Sequence, residues 1–343
     1  MSLTRRERLR RAIEHQPIDR LPTQVKFTAD MGEKLARHFG VSVDELGARL
    51  GNHMVRVDVS FPRPVSEDAL IAYDWWGVGW STQTEGYWPV DSPLGGSQTL
   101  TRFAWPDPEE AHLLDGAKAV IAQRGDEYFV IPNLGFCLFE RAWALRGFEA
   151  FLLDLGGNLI FAEELLERIT EIQVVLARRF VQLGVDGGYF GDDYGSQEHL
   201  LFSPRMWRTL FKPRLARMFR VFREAGLPVI LHSDGNIGEI VPDLVEIGVT
   251  VLNPVQPEVL DHGWLQRTFG DELAFYGGIS TQTVLPFGSP DEVRSAVHAC
   301  AEALAPNGTG LIVSPSHRLQ EDVPVENVDA LLGTCADLAV ARP

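Results

Sequence analysis

The sequence predicts an α/β protein folded as one (β/α)8 TIM barrel spanning residues 1–343. Three observations lead there. Short β-rich runs alternate with helical patterns, which implies parallel pairing of strands. The runs number eight, and eight such units close into a barrel. Finally, the first run leads through Val25-Lys26-Phe27-Thr28-Ala29-Asp30 rather than a glycine-rich phosphate turn, so the competing doubly wound sheet lacks its fingerprint.

The first two strands are expected at 21–27 and 54–60. Residues 61–108 then break the rhythm, gathering Trp75, Trp76, Trp80, Tyr87, Trp88 and Trp105 among Gly and Pro. This stretch reads as an excursion with a small hairpin, placed over the mouth where a barrel keeps its active site. Its aromatic residues either pack it against the barrel or face substrate; Trp75 and Trp76 are the expected substrate contacts. The third and fourth strands fall at 128–132 and 187–190. Between them Phe161, Leu165, Ile169, Ile172, Leu176, Phe180 and Leu183 recur at helical spacing, a core stripe. A helix opening at Ser203-Pro204, with proline suited to the first turn, precedes the fifth strand at 228–232. Strands at 250–253, 273–276 and 310–313 follow. Before the last of them, Ser289-Pro290-Asp291-Glu292 starts a helix with acidic residues in its first turn.

Three cysteines without a CxxC pair fit a reducing compartment better than a disulfide framework. The opening Arg5-Arg6-Glu7-Arg8 is unlike a signal peptide, and no apolar run is long enough to span a bilayer, so a cytoplasmic location is expected. A net charge of −16 with no basic tract beyond the first turns of the chain argues against nucleic-acid binding. It does not argue against a small anionic ligand, because the local charge of a pocket can oppose the global sign.

Barrel enzymes draw their chemistry from residues just past the strands. After the fourth strand, the adjacent carboxylates of Asp192 and Asp193 either share a cation or proton, or cap a turn; Tyr194 beside them is expected to contact substrate. After the fifth, His232-Ser233-Asp234 projects His232 and Asp234 to one side of an extended segment. His232 then serves as metal ligand or general acid and Asp234 as its partner, or the pair is a core histidine followed by a turn. Asn253 and Gln256 after the sixth strand offer amides. Gly278 after the seventh would let backbone approach a ligand, with Gln282 nearby. His317 follows the eighth, and Glu140 follows the third. No GxSxG elbow, P-loop or DxHxxG corrinoid motif occurs.

Several of these stretches resemble the uroporphyrinogen decarboxylase-like superfamily: Arg5-Arg6-Glu7-Arg8-Leu9, Pro17-Ile18-Asp19-Arg20-Leu21-Pro22, the RAWALRG run from Arg141, Gly191-Asp192-Asp193, His232-Ser233-Asp234-Gly235-Asn236, Asn253-Pro254-Val255-Gln256-Pro257 and Tyr276-Gly277-Gly278-Ile279. The resemblance covers nearly the whole chain and implies the same barrel, with a homodimer as the family arrangement. It also implies one of two chemistries: metal-free decarboxylation of uroporphyrinogen, or zinc-dependent methyl transfer involving a corrinoid protein. The decarboxylase branch carries an arginine-rich RQAGRYxPE segment after its first strand, whereas Gln24 to Gly32 here contain no arginine. The methyltransferase branch carries His-x-Cys where this chain has His232 and Asp234. A His/carboxylate set suits an oxygen donor. The resemblance therefore implies a zinc site drawn from His232, Asp234, Glu140, Asp193 and His317, with the corrinoid supplied by a partner protein and the methyl coming from a small methoxylated or hydroxylated donor. The alternatives are metal-free decarboxylation of a tetrapyrrole or smaller acid, and a non-catalytic binding barrel.

Overall fold

Apolar residues at alternate strand positions meet in one interior. The computed structural model describes residues 3–83, 88–96 and 99–338; Tyr87, counted above among the excursion's aromatics, lies outside them. The described strands are β1 (Met54–Val57), β2 (Ile71–Tyr73), β3 (Gly79–Ser81), β4 (Pro89–Asp91), β5 (Phe129–Gly135), β6 (Gly188–Gly191), β7 (Val229–His232), β8 (Val251–Asn253), β9 (Ala274–Ile279) and β10 (Leu311–Pro315). Seven of them form a parallel sheet in the order β1-β5-β6-β7-β8-β9-β10. Met54, Phe129, Ile131, Tyr189, Ile230, Val251, Tyr276 and Ile312 form a single buried cluster with Leu9 and Ile13 of the helix Arg5–Ile13. Successive side chains of a strand point to opposite faces, so one cluster fed by all seven strands requires the sheet to curl around it.

The first expected strand is not a strand of this ladder. In segment 21–27, Thr23 makes isolated parallel bridges to Asn52 on one side and Val313 on the other. Toward β10 the backbone supplies the bonds, from Gln24 N to Val313 O (3.0 Å) and from Val313 N to Pro22 O (2.9 Å). Toward β1, side chains take over. The Asn52 amide binds both main-chain groups of Val25 (2.7 and 2.9 Å), and Gln24 Oε1 accepts from the N–H groups of His53 and Met54. Pro22 has no N–H to give a ladder, so pairing here is by amide side chain.

The helix signals hold. Ser203 accepts from Met206 N ahead of the helix Pro204–Leu210, and Ser289 with Glu292 forms a capping box on the helix Pro290–Leu304; such a cap is worth about 1 kcal/mol. The helix Leu159–Leu183 buries Leu165, Ile169, Ile172, Leu176 and Phe180. Among the described residues no helix is long and apolar enough to cross a membrane.

Within 61–108, β2, β3 and β4 make a small antiparallel sheet. It is tied to the helix Phe139–Arg146: Arg141 pairs with Asp74 at 2.6 Å, and Trp88 rests on Trp143 with ring centroids 5.2 Å apart.

Candidate active site

The C-terminal ends of the strands surround a cavity of about 330 Å³. Strand register explains its back wall. Gly191 of β6, His232 of β7 and Asn253 of β8 sit on one rung. Beyond that rung the loops after β6 and β7 meet backbone to backbone. A Cβ on Gly235, whose φ is +80°, would lie 2.4 Å from Gly195 O. Glycine there lets Asn236 N reach Ser196 O (2.7 Å), while Asp193 Oδ1 accepts from Asp234 N (2.8 Å). The two loops are thereby locked, and Asp193 and Asp234 are presented to the same side.

His232, Asp234 and His317 converge. One ligand atom from each lies within 4.8 Å of the others. Asp234 Oδ2 is 3.8 Å from His232 Nε2 and 3.7 Å from His317 Nε2, and Asp193 Oδ1 is 3.9 Å from His232 Nε2. Neighbours decide the His232 tautomer. Asn253 Nδ2 donates to Tyr276 O (2.8 Å), which can only accept, so Asn253 Oδ1 faces His232 Nδ1 at 2.7 Å. Nδ1 therefore carries the proton and Nε2 keeps its lone pair toward Asp234. Burial pushes His232 down to about 4, against the pull of Asp193. Burial likewise lowers His317 and raises Asp193 and Asp234.

The donor set fits a metal ion. A tetrahedral zinc with ligands at about 2.1 Å holds its donors about 3.4 Å apart, close to the observed separations. The carbonyl–amide–imidazole relay through Tyr276, Asn253 and His232 is the outer support such a ligand needs. Glu140 stands outside this trio. Burial, with Asp193, Asp192 and Asp234 around it, holds it well above the usual carboxylate range at the cavity wall.

Basic side chains also line the cavity. Lys26 Nζ donates to Tyr189 OH (3.2 Å), and Arg56 lies over the Tyr189 ring at 3.5 Å with Nη2 buried and unpartnered among the described residues. Burial and the charges of Arg56 and Arg318 push Lys26 well down. Sequence reading missed these cations. Arg56 could have been noticed as a charge inside an otherwise apolar strand.

Other expected residues fall elsewhere. Asp192 is fully buried and turns away from the cavity to accept from the N–H groups of Phe139 (2.8 Å) and Glu140 (2.7 Å) and from the Tyr194 hydroxyl. It caps the helix Phe139–Arg146, and burial raises it to about 6. Tyr194 is itself fully buried, packed among Phe139, Phe202, Trp207 and Phe211. At Gly278 a Cβ would sit 2.4 Å from Cys300 Sγ, so this glycine serves the packing of β9 on the helix Pro290–Leu304. Gln256 and Gln282 line a neighbouring cavity of about 290 Å³ on the far side of Asp234 and His317. Trp75 and Trp76 line a third cavity beside the first.

Known proteins place the chain in a family. The profile of the Uroporphyrinogen decarboxylase (URO-D) family matches residues 90–338. The chain belongs to that family. Full-length relatives agree: a uroporphyrinogen decarboxylase of Xanthomonas euvesicatoria pv. vesicatoria is 26% identical, covering 98% of this chain and 99% of its own, and one of Coxiella burnetii is 20% identical over 97% and 95%. A solved methyltransferase from Methanosarcina mazei superposes with a TM-score of 0.73 at 19% identity, covering 98% of this chain and 99% of that one. That likeness establishes a shared fold. The His232, Asp234 and His317 cluster lies at the C-terminal ends of the strands.

Proposed function

We propose that this URO-D family chain is a zinc-dependent methyltransferase, moving a methyl group from a small methoxylated or hydroxylated donor to a corrinoid carried by a partner protein. The observation that carries the reading is the convergence of His232, Asp234 and His317, with the Nε2 lone pair of His232 aimed by Asn253. Zinc bound there supplies Lewis acidity toward a donor oxygen. The chain's own residues do the rest. Asn253 fixes the His232 ring, and Asp193 fixes the loop that carries Asp234. Glu140, kept protonated by its surroundings, holds a proton at the cavity wall for the oxygen left when the C–O bond breaks and its electron pair stays on oxygen. Asp192 acts as a positioning residue that holds Glu140's helix. We also assign segment 21–27 as the eighth stave, closing the barrel between β1 and β10.

Free cob(I)alamin with a panel of methoxylated donors tests the reaction. Donor-dependent loss of the cob(I) absorbance, abolished by a chelator, is expected.

A second reading, metal-free decarboxylation of a tetrapyrrole or smaller carboxylic acid, is favoured by Lys26 and Arg56, which suit a carboxylate. Carbon dioxide release that is indifferent to chelators, without methylation of cobalamin, would replace the first reading with this one.

A further inference from the structure

The third cavity, also of about 330 Å³, adjoins the first and shares Asn133, Gly135 and Arg141 with it. Its walls are aromatic. Trp75 and Trp76 meet edge to face with centroids 5.5 Å apart, and Trp80 meets Phe136 likewise at 5.3 Å. Its charges balance: the lining holds Asp58 and Asp74 against Arg63 and Arg141, and Arg141 is already paired to Asp74 at 2.6 Å. Nothing there calls for a charged ligand.

Two residues of this lining each carry a buried polar atom without a partner among the described residues, Gln173 Oε1 and Arg141 Nε. Gln173 is 2% exposed on the inward stripe of the helix Leu159–Leu183, between Ile172 and Leu176. Its Nε2 donates to Cys137 O at 3.2 Å, which leaves Oε1 without a donor. A buried acceptor left unmet is costly, and an apolar side chain would fill the same stripe without that cost.

We propose that this cavity binds a neutral hydroxylated aromatic ring, a phenol, packed among Trp75, Trp76 and Trp80 with its hydroxyl donating to Gln173 Oε1. The phenolic oxygen keeps lone pairs for a donor such as Arg141 Nε. A carboxylate could not donate to Gln173, and an ammonium could not accept from Arg141. Flat faces against edge-to-face tryptophans suit a ring. The site requires neither zinc nor methyl transfer, so its test is independent of the reading above.

Isothermal titration calorimetry on the full chain, with phenol and toluene as probes, decides it. Phenol is expected to bind about ten-fold more tightly than toluene, because a site built to pair a hydroxyl rejects the analogue without one. Gln173→Leu should erase that preference. Trp75→Ala should weaken both probes several-fold and leave their ratio intact, so the proposal stays testable if the first variant does not fold. Equal affinity for the two probes, no binding of either, a preference surviving in Gln173→Leu, or Trp75→Ala without effect would each overturn it.

Discussion

Asn253 faces His232 with oxygen because its nitrogen is committed to the carbonyl of Tyr276. A leucine at that position would leave His232 Nδ1 and Tyr276 O unpaired and free the imidazole to turn. We predict that Asn253→Leu weakens zinc binding by about 10- to 100-fold, the usual cost of losing an outer-shell partner, as read by competition with a chromophoric chelator. His53 shows the same principle in a structural setting. It is fully buried, its Nε2 meets Arg8 Nη1 at 3.1 Å, and burial pushes it down to about 3. Arginine can only donate, so Nε2 must accept and the ring stays neutral. Between about pH 6.5 and 3 the unfolded chain binds a proton at His53 that the folded chain does not. This group's contribution to stability is therefore lost as pH falls through that window, by at most about 1.4 kcal/mol per pH unit. Urea unfolding of the wild type and His53→Gln across this range should show a shallower decline in the variant.

The elements were legible where their signals are local. Ser289 with Glu292 announces a helix start, and the stripe from Phe161 to Leu183 announces a long amphipathic helix; both formed as read. Segment 21–27 has the composition of a strand. Its pairing, however, depends on Asn52 and Gln24, whose side-chain bonds have no periodicity to detect. Asn52→Leu removes two bonds to Val25 and orphans both of its main-chain groups. At about 1–3 kcal/mol for each buried group left unmet, a loss of roughly 2–6 kcal/mol is expected in the unfolding free energy read by urea titration. Gly277 makes an equally local demand. At φ +129° a Cβ would lie 1.7 Å from Pro254 O. Gly277→Ala should therefore cost more than about 3 kcal/mol or prevent folding, as measured by circular dichroism and soluble yield. Gly278, read as a point of ligand approach, instead makes room for Cys300, a contact two elements away that no local pattern reveals.

At the scale of the whole molecule, strand order decides which residues meet. Residues past separate strands, 232–234 and 317, could be nominated from the sequence because a barrel gathers its strand ends at one mouth. What could not be read is which way each side chain turns once there: Asp192 and Asp193 are adjacent, yet one caps a helix and the other faces the cavity. The basic side chains Lys26 and Arg56 were hidden for the same reason, since only the curled sheet brings them together on Tyr189 at the cavity wall. The chain carries a net charge of −16, and Lys26, Arg56, Arg141 and Arg318 nonetheless line this cavity. The proposed function rests on His232, Asp234 and His317 forming a metal centre. Metal content by mass spectrometry, on wild type and on His232→Ala shown folded by circular dichroism, tests it most directly. About one zinc per chain in the wild type, lost in the variant, is expected; a wild type without metal, or a variant that retains it, would rule this metal centre out.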